Sequence, residues 1–258
     1  MISIVTVNKN NAVGLEKTIL SVLSQRNKNY EFIVVDGSSN DESSNILNQY
    51  HSYINKSFFE HDKGPYDAMN KGISASNGEF IIFLNSGDLF FNDTVIDEFY
   101  SKINTTEKET VYYGAISLDN LVPLYYPNYI TLSDLKKWTI NHNSCCIPKS
   151  LFIKYGIYDL EFKLAADYVW FLKIYLVGVR FTYIDKMLVS YDTSGLSSQN
   201  PNLYKSEMTD AFNRYVPDYL RTMLLEYDQL KLENSYTIIK LSKKFNFIFQ
   251  RIKKYITR

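Results

Sequence analysis

The sequence predicts an α/β fold in which helices flank a mixed sheet, followed by a helical extension at the C-terminus. Residues 2–50 alternate apolar strands with helical patterns, which is the order that crossover connections between parallel strands require. Residues 80–84 are five consecutive apolar residues, too few for a helix, and such a run indicates a strand buried on both faces. With 258 residues, 45% of them hydrophobic and 22% charged, the chain has the composition of a soluble domain with a large core.

Strands and helices are predicted from apolar residues, which form short continuous runs in strands and recur every three or four positions in helices. In the first half of the chain the elements lie, in order, at Ile2–Val7, 11–25, Glu31–Val35, Ser43–Tyr50, Phe58–Glu60, Tyr66–Ala75 and Phe80–Leu84. In the second half they lie at Val111–Ile116, Ser144–Ile147, Tyr168–Leu176 (a strongly apolar helix), Arg180–Asp185 and Met187–Tyr191.

Two predicted strands lead directly into aspartates. Asp36 follows the strand that ends at Val35, and Asp88 closes the turn 85–88 after the strand that ends at Leu84. Ligands of open α/β sheets bind at the carboxyl ends of strands, where Asp36 can accept a hydrogen bond from a base imide or a ribose hydroxyl. Asp88 can hold a divalent cation against a diphosphate. Both residues also suit local roles, Asp36 in a turn before a helix and Asp88 as a helix cap, so both interpretations stay open.

The sequence lacks the glycine-rich phosphate loops of two nucleotide-binding classes. It has neither Gly-x-Gly-x-x-Gly after the first strand nor a Walker loop. A nucleotide site in this chain would therefore depend on side-chain carboxylates. Nucleic-acid binding is disfavoured, because the basic residues in excess are confined to one apolar-interleaved terminal segment.

Four segments, in the same order along the chain, resemble glycosyltransferase family 2. They are Thr6-Val7-Asn8, residues 34–41 (Val-Val-Asp-Gly-Ser-Ser-Asn-Asp), residues 62–73 (Asp-Lys-Gly-Pro-Tyr-Asp-Ala-Met-Asn-Lys-Gly-Ile) and residues 78–88. The pattern is similar to that of bacterial transferases that build colanic-acid-like exopolysaccharides and O-antigen repeat units. The resemblance implies the GT-A fold, a Rossmann-like mixed sheet flanked by helices, for residues 1–200, with a helical extension over residues 201–258.

The resemblance implies an inverting enzyme whose donor is a nucleotide-diphosphate sugar, in the first place a UDP-sugar. The residues that match the family's donor-binding positions are Thr6, Asn8, Asp36, Asp67, Asn70, Lys71 and Ser86. Asp36 matches the aspartate that reads the uracil, but the second aspartate that usually follows it is Gly37 here, which would weaken or change the ribose contact. Lys71 suits a phosphate, and it also suits a solvated surface position.

The resemblance also implies a divalent metal, Mn²⁺ or Mg²⁺, and a general base. Asp88 matches the metal-binding carboxylate of the family's Asp-x-Asp motif; the corresponding stretch here is Asn85-Ser86-Gly87-Asp88, in which only this last carboxylate is kept, and the change would lower metal affinity. His142 is interpreted as a metal ligand, as a donor or acceptor contact, or as a hydrogen-bonded core histidine. Asp167 matches the general base, and the alternative is a carboxylate that the helix dipole favours at a helix N-terminus.

Residues 236–258 combine apolar positions every three or four residues with seven basic residues and no acid. A basic amphipathic helix of this kind is typical of segments that lie on an anionic membrane, and it is also compatible with a helix packed on the domain. The sequence contains no secretory signal and no stretch long enough to span a bilayer. We therefore expect a cytoplasmic protein that binds the inner-membrane surface peripherally.

The sequence thus predicts an inverting glycosyltransferase that moves a hexose to a lipid-diphosphate-linked saccharide in O-antigen or exopolysaccharide assembly. One alternative is a sugar nucleotidyltransferase, but such enzymes carry a glycine-rich basic loop after the first strand, and residues 8–14 do not have that glycine density. The other is a sugar-nucleotide-binding relative without activity, which the replacements Gly37 and Asn85 favour.

Overall fold

The fold is described from a computed structural model that covers residues 1–103, 107 and 109–233. These residues form two compact units, Met1–Phe212 and a second unit that begins at Asn213. The domain boundary predicted at residue 200 stays a prediction, and the basic helix predicted over 236–258 lies outside the described residues. In the part of the chain that is described, no helix is both long and apolar enough to cross a bilayer.

Nine strands are described, and they are β1 (Ile2–Asn8), β2 (Tyr30–Asp36), β3 (Lys56–Phe59), β4 (Phe80–Phe83), β5 (Leu89–Phe90), β6 (Thr110–Leu118), β7 (Val122–Leu124), β8 (Cys145–Pro148) and β9 (Arg180–Tyr191). The helices α1 to α9 are α1 (Ala12–Leu23), α2 (Ser43–Gln49), α3 (Pro65–Ala75), α4 (Val95–Lys102), α5 (Leu132–Leu135), α6 (Lys149–Tyr155), α7 (Ala166–Leu176), α8 (Leu196–Gln199) and α9 (Pro201–Tyr215). Residues 218–233 are also helical.

The strands form one mixed sheet in the order β3-β2-β1-β4-β8-β6-β9-β5, with β7 paired to β6. The first four strands in this order are parallel, as the alternation of strands and helices predicted. β8 lies antiparallel between β4 and β6, and β9 runs parallel to β6. The predicted α/β class with a mixed sheet is confirmed.

The register of the parallel strands collects their carboxyl ends at one edge of the sheet. Asn8 at the end of β1 pairs with Asp36 of β2, and Asp36 pairs in turn with Phe59 at the end of β3. β1 and β2 are apolar and buried along most of their length, as expected for strands covered by helices on both faces. The polar residues that follow these strands therefore lie side by side.

α3 packs on β1 through a glycine. A Cβ on Gly72 would lie 2.3 Å from Cγ1 of Val5, so a larger residue would push the helix away from the strand. The helix begins after Gly64, whose φ is +127°, and Pro65 occupies its first turn. Proline is favoured there because its missing N–H would have no partner in the helix. These contacts fix the position of Tyr66 in the first turn of α3.

β9 is a single strand, Arg180–Tyr191, where the sequence predicted two. Its register against β6 shifts so that Ile184 pairs with Gly114 and Met187 with Ala115. The two intervening residues are accommodated as a bulge-like irregularity, which bends a strand without ending it. β9 ends at Tyr191, and the loop that follows borders a cavity at the carboxyl edge of the sheet.

Candidate active site

A cavity of about 910 Å³ opens at the carboxyl edge of the sheet, and its lining comes from the first unit. Half of the residues that the sequence predicts for the site line it, namely Asn8, Ser86, Asp88, His142 and Asp167. The other half do not line it, namely Thr6, Asp36, Asp67, Asn70 and Lys71. The cavity thus brings together the predicted base and the two predicted metal ligands.

Asp88 follows β4 and is 4% exposed. Its Oδ1 accepts the backbone N–H of Asp192 at 2.9 Å, and its Oδ2 accepts the side-chain amide of Asn143. Burial raises the pKa of the Asp88 carboxyl well above its ordinary value; the Asp192 N–H works against this rise, and the Asp192 carboxylate adds to it. A nearby cation would stabilise the ionised form of such a carboxyl.

Asp167 lies in the first turn of α7 and is 5% exposed. The hydroxyl of Tyr66 donates to its Oδ1 at 2.7 Å, and Nδ1 of His142 lies 2.9 Å from its Oδ2. Burial works against ionisation, but the interactions with His142 and Tyr66 outweigh it and hold the pKa of Asp167 below its ordinary value. The carboxylate is therefore ionised at neutral pH and oriented by two side-chain donors and by the backbone N–H of Tyr168.

Two adjacent residues of one 3₁₀ turn, His142–Ser144, hold both carboxylates. His142 contacts Asp167, and the next residue, Asn143, donates to Asp88. The turn is itself fixed, since the side chain of Asn141 accepts the backbone N–H of Asn143 at 2.9 Å. One turn therefore contacts both carboxylates through neighbouring side chains.

Glu207, a residue with no predicted role, fixes the segment that leads into Asp167. Its carboxylate accepts the backbone N–H groups of residues 163, 164 and 165 at 2.9, 2.8 and 2.9 Å. These groups lie just before α7, whose N-cap, Ala165, has no side chain that can accept a hydrogen bond. Glu207 acts from α9 across more than 40 positions, so no local pattern could have revealed it.

The carboxylate of Asp36 is enclosed by the turn that follows β2. Asp36 is fully buried, and its carboxylate accepts the backbone N–H of Ser39 at 2.7 Å, the Ser39 hydroxyl at 2.9 Å and the Asn8 amide at 2.6 Å. Asn8 itself borders the cavity, and its Oδ1 is buried with no hydrogen-bond partner among the described residues. The donor-binding roles of Asn8 and Asp36 both stay predictions.

The predicted residues of α3 are engaged with other parts of the protein. The amide of Asn70 donates to the carbonyl of Tyr158 at 2.9 Å and accepts its N–H at 3.0 Å. Nζ of Lys71 donates to the carbonyl of His61 at 2.8 Å and lies 3.7 Å from Asp67. Likewise, Oγ1 of the fully buried Thr6 donates to a backbone carbonyl of the β4 turn, at 2.7 Å. Donor binding by these four residues stays a prediction.

The oxygen atoms around Asp88 fit a hard divalent cation. In the part of the chain that the structure describes, no three His, Cys, Asp or Glu side chains cluster as a metal site. Mg²⁺-like ions, however, are often held by one or two carboxylates together with substrate phosphates. Asp192 is near enough to act on the Asp88 pKa, and Oδ1 of Asn85 is buried without a described partner. His142 has its ring nitrogens next to Asp167 and Asn85, so its role as a ligand stays a prediction.

The loop after β9 is tied to the sheet at two points. The Asp192 N–H binds Asp88, and the N–H and hydroxyl of Thr193 donate to the Asp119 carboxylate at 2.9 and 2.5 Å. Asp119 lies in the turn between β6 and β7. Residues 194–199 of the loop line the cavity, so one hydrogen-bonded path joins the Asp88 side of the cavity to the β6–β7 hairpin.

The β6–β7 hairpin gives the cavity an aliphatic wall. Antiparallel pairing sets Ile116 opposite Leu124 and Leu118 opposite Val122, and residues directly opposite each other share one face of a sheet. The first three line the cavity. Val122 continues this face outward with 57% exposure, and Leu124 is 42% exposed. Aliphatic side chains neither hydrogen-bond to sugar hydroxyls nor present a ring, so this wall suits a hydrocarbon.

Sequence reasoning gave no role to five further lining residues, which are Lys9, Asp62, Tyr66, Lys163 and Asp192. Asp62 and Tyr66 belong to residues 62–73, one of the four segments that carry the family resemblance, so a signal was present. Lys163 and Asp192 had no assigned role, and their places in the lining depend on the tertiary fold.

Residues 3–171 match the family model of glycosyl transferase family 2. An uncharacterised glycosyltransferase of Mycobacterium tuberculosis (strain H37Rv) is 32% identical over 203 residues, which are 76% of this chain and 77% of the relative. A glycosyltransferase of PGL/p-HBAD biosynthesis from Mycobacterium bovis BCG is 25% identical over 199 residues, with 76% and 78% covered.

Solved structures share the fold. Staphylococcus aureus TarS (residues 1–349) in complex with UDP-GlcNAc matches with a TM-score of 0.69 at 17% identity, over 87% of this chain and 70% of TarS. The mannosyltransferase PcManGT of Pyrobaculum calidifontis, in complex with GDP-Man and Mn²⁺, matches with a TM-score of 0.55 at 13% identity. The match covers 90% of this chain and 80% of PcManGT. At these identities the likeness establishes the GT-A architecture and nothing finer.

Proposed function

This chain belongs to glycosyltransferase family 2, and on that basis we propose that it transfers a hexose from a UDP-sugar, with inversion, to a hydroxyl of a lipid-diphosphate-linked saccharide. The proposed setting is the assembly of a bacterial surface polysaccharide such as O-antigen or exopolysaccharide, at the inner face of the membrane.

One observation carries the proposal, namely that one cavity holds two carboxylates of opposite protonation behaviour. Asp167 has a lowered pKa and Asp88 a raised one, and adjacent residues of one turn hold the two groups. An inverting transfer needs a base for the acceptor hydroxyl and positive charge beside the departing diphosphate. The two environments suit this division, Asp167 as the base and Asp88 as the cation ligand.

The proposed base step uses the lone pairs that remain on Asp167. A carboxylate offers about four acceptor positions, and Tyr66, His142 and the backbone N–H of Tyr168 occupy three of them. The acceptor hydroxyl gives its proton to Asp167 while its oxygen forms a bond to the anomeric carbon. The bond from that carbon to the diphosphate breaks, and the electron pair leaves with the diphosphate. Tyr66 and His142 hold the carboxylate in place throughout.

Asp88, with Asp192 and Oδ1 of Asn85, is proposed to hold the Mn²⁺ or Mg²⁺ of the reaction. When bound, such an ion neutralises charge on the leaving diphosphate. The Asp88 carboxyl is costly to ionise in the protein alone, so binding of the ion and ionisation of Asp88 favour each other.

The donor is proposed to be a UDP-sugar because a protein of the same fold, S. aureus TarS, has been crystallised with UDP and UDP-GlcNAc. Asn8 and Ser86 are the predicted donor-binding residues that border the cavity. The carrier of the acceptor is proposed to be a lipid because the wall formed by Ile116, Leu118, Val122 and Leu124 is aliphatic and partly exposed.

The test is a screen of UDP-, GDP- and TDP-sugars for thermal stabilisation of the protein, which reports binding by mass action. Binding hits are then assayed for transfer to a lipid-diphosphate-linked saccharide in the presence of Mn²⁺, and NMR of the product gives the anomeric configuration. Asp167→Asn is expected to keep donor affinity within a few-fold and to lower turnover by roughly 10²–10⁴.

Asp185→Asn, an exposed aspartate of β9, is the matched control and should retain wild-type turnover. Near-normal turnover of Asp167→Asn would assign the base elsewhere. Retention of anomeric configuration in the product would remove the proposed inversion.

A further inference from the structure

Gly37, the replacement for the family's usual second aspartate, lies directly beside the carboxylate of Asp62. A Cβ on Gly37 would stand 2.1 Å from Oδ2 of Asp62, well inside any permitted contact. The absence of a side chain at position 37 therefore makes room for a carboxylate that arrives from another segment. The chain has not lost a carboxylate at this edge of the sheet; it supplies one from a different position.

The topology explains why Asp62 arrives there. β3 is the parallel neighbour of β2, and its last residue, Phe59, pairs with Asp36. The backbone continues this pairing with a hydrogen bond from the N–H of Glu60 to the carbonyl of Asp36, 3.0 Å long. The loop after β3 then turns over the end of β2. Oδ1 of Asp62 accepts the N–H of Gly64 at 3.0 Å, which fixes the side chain in this turn.

Asp62, unlike Asp36, has access to the cavity. Asp36 is fully buried and absent from the cavity wall, whereas Asp62 lines the wall. Lys9 also lies beside Gly37, with its Cδ 3.1 Å from the same hypothetical Cβ, and it also lines the cavity. Nζ of Lys9 donates to the carbonyl of Ser38 at 2.9 Å, so the turn that carries Gly37 is clamped.

We propose that Asp62 is the carboxylate that binds the ribose hydroxyls of the nucleotide donor, in the place left open by Gly37. A carboxylate at the carboxyl edge beside the second strand is where α/β nucleotide-binding proteins accept hydrogen bonds from ribose hydroxyls. Both oxygens of Asp62 retain lone pairs for a pair of neighbouring hydroxyls. This inference rests on the proposed function, because it takes the donor to be a nucleotide.

The experiment compares UDP with 2′,3′-dideoxy-UDP by isothermal titration calorimetry, in wild-type protein and in variants. A hydrogen bond to a charged group corresponds to about a 10- to 100-fold change in affinity. Wild-type protein should therefore bind UDP at least about 10-fold more tightly than the dideoxy analogue. Asp62→Ala should bind UDP as weakly as wild type binds the analogue, and it should no longer distinguish the two ligands.

Asp62→Asn guards against a change of fold, since its amide oxygen can still accept the Gly64 N–H while the charge is lost. Its neutral amide makes weaker hydrogen bonds to hydroxyls than a carboxylate does, so this variant should show reduced discrimination at an unchanged melting temperature. Gly37→Ala gives a second route to the same result, because its Cβ would displace the Asp62 carboxylate. In an Asp62→Ala background, Gly37→Ala should have no further effect on UDP affinity. Glu60→Ala removes a half-exposed carboxylate from the same loop and is the control.

Undiminished discrimination in Asp62→Ala and Asp62→Asn would overturn the inference and leave the proposed function intact. Equal losses of affinity for UDP and for the dideoxy analogue would also overturn it, since Asp62 would then act on another part of the nucleotide. Failure of wild-type protein to bind any nucleotide or nucleotide sugar would overturn the proposed function, and the inference with it.

Discussion

Nδ1 of His142 lies 2.9 Å from Oδ2 of Asp167, and Nε2 of the same ring lies 3.2 Å from the amide nitrogen of Asn85. A carboxylate can only accept, so Nδ1 carries the proton of the first contact, and Nε2 is placed to accept from the amide. The ring is thus held between Asp167, in the first turn of α7, and the turn that follows β4. In this arrangement His142 orients the carboxylate of Asp167.

His142→Ala is expected to shift the pH dependence of the reaction. The interactions with His142 are among those that hold the Asp167 pKa below its ordinary value against the effect of burial. Without the imidazole, less opposes the effect of burial, so the pKa of Asp167 rises. The acidic limb of the kcat/KM profile then moves to higher pH. His142→Asn can keep a donor near the Nδ1 position and should restore much of the profile. Superimposable pH profiles for wild type and His142→Ala would contradict this coupling.

Asp88→Asn is expected to abolish metal-dependent transfer while protecting the fold at high pH. A carboxyl whose pKa is raised by folding binds its proton more tightly in the folded state. Its contribution to the unfolding free energy is therefore present below the unfolded pKa of about 3.9 and is lost as pH rises through the folded pKa. An asparagine at position 88 does not titrate, so its contribution to the unfolding free energy is not lost as pH rises. Asn143 can rotate its amide so that its Oδ1, which has no described partner, accepts a hydrogen bond from the new asparagine.

The measurement is the melting temperature of both proteins between pH 4 and pH 8, with and without Mn²⁺ and UDP. The melting temperature of the variant should rise relative to that of wild type as pH increases. Mn²⁺ together with UDP should raise the melting temperature of wild type but not that of the variant. A constant difference in melting temperature across this range would count against a raised pKa at Asp88.

Glu207→Ala should both destabilise the protein and slow the reaction. It leaves three backbone N–H groups before α7 without their acceptor, which costs about 1–3 kcal/mol of unfolding free energy. Because the segment leads directly into Asp167, turnover should fall more than donor affinity. Urea unfolding and steady-state kinetics measure the two effects, with the exposed Glu226→Ala as control. A loss of stability without any loss of turnover would make Glu207 purely structural.

Replacing the aliphatic wall should affect one class of acceptor. Val122→Ser together with Leu124→Ser removes hydrocarbon from the outer part of the wall, and burial of such side chains contributes about 1.5–3 kcal/mol each when complete. Both are partly exposed, so we expect KM for a long-chain lipid acceptor to rise about 10-fold. KM for a short-chain analogue should change little. Ile153→Ser, on α6 and 77% exposed, is the control. Equal effects on both acceptors would exclude a hydrocarbon subsite on this wall.

The sequence predicted best what depends on local pattern and strand order. The apolar run at Phe80–Leu84 and the alternation of strands and helices were enough to place Asp88 at the carboxyl edge, and the order of motifs led to Asp167. The bulge in β9 was not predictable, because it arises from the register between β9 and β6 rather than from the composition of either strand.

Side-chain direction on α3 and in the turn after β2 was not predictable from the sequence. Asn70 and Lys71 occupy the predicted helix, but their polar atoms engage Tyr158 and the loop before α3. Asp36 lies at the predicted strand end, but short-range hydrogen bonds with Ser39 enclose its carboxylate. Which way a polar side chain turns depends on partners brought from other segments, and a single sequence does not give those partners.

The contact between Gly37 and Asp62 also has a consequence for how related sequences diverge. A Cβ at position 37 would stand 2.1 Å from the Asp62 carboxylate. The protein therefore has room either for a side chain at position 37 or for the carboxylate of residue 62, but not for both. Descendants of one ancestral enzyme can therefore exchange the two arrangements only through paired substitutions. Positions 37 and 62 should covary across the family, and a natural sequence with aspartate at both would have to carry a rebuilt loop after β3.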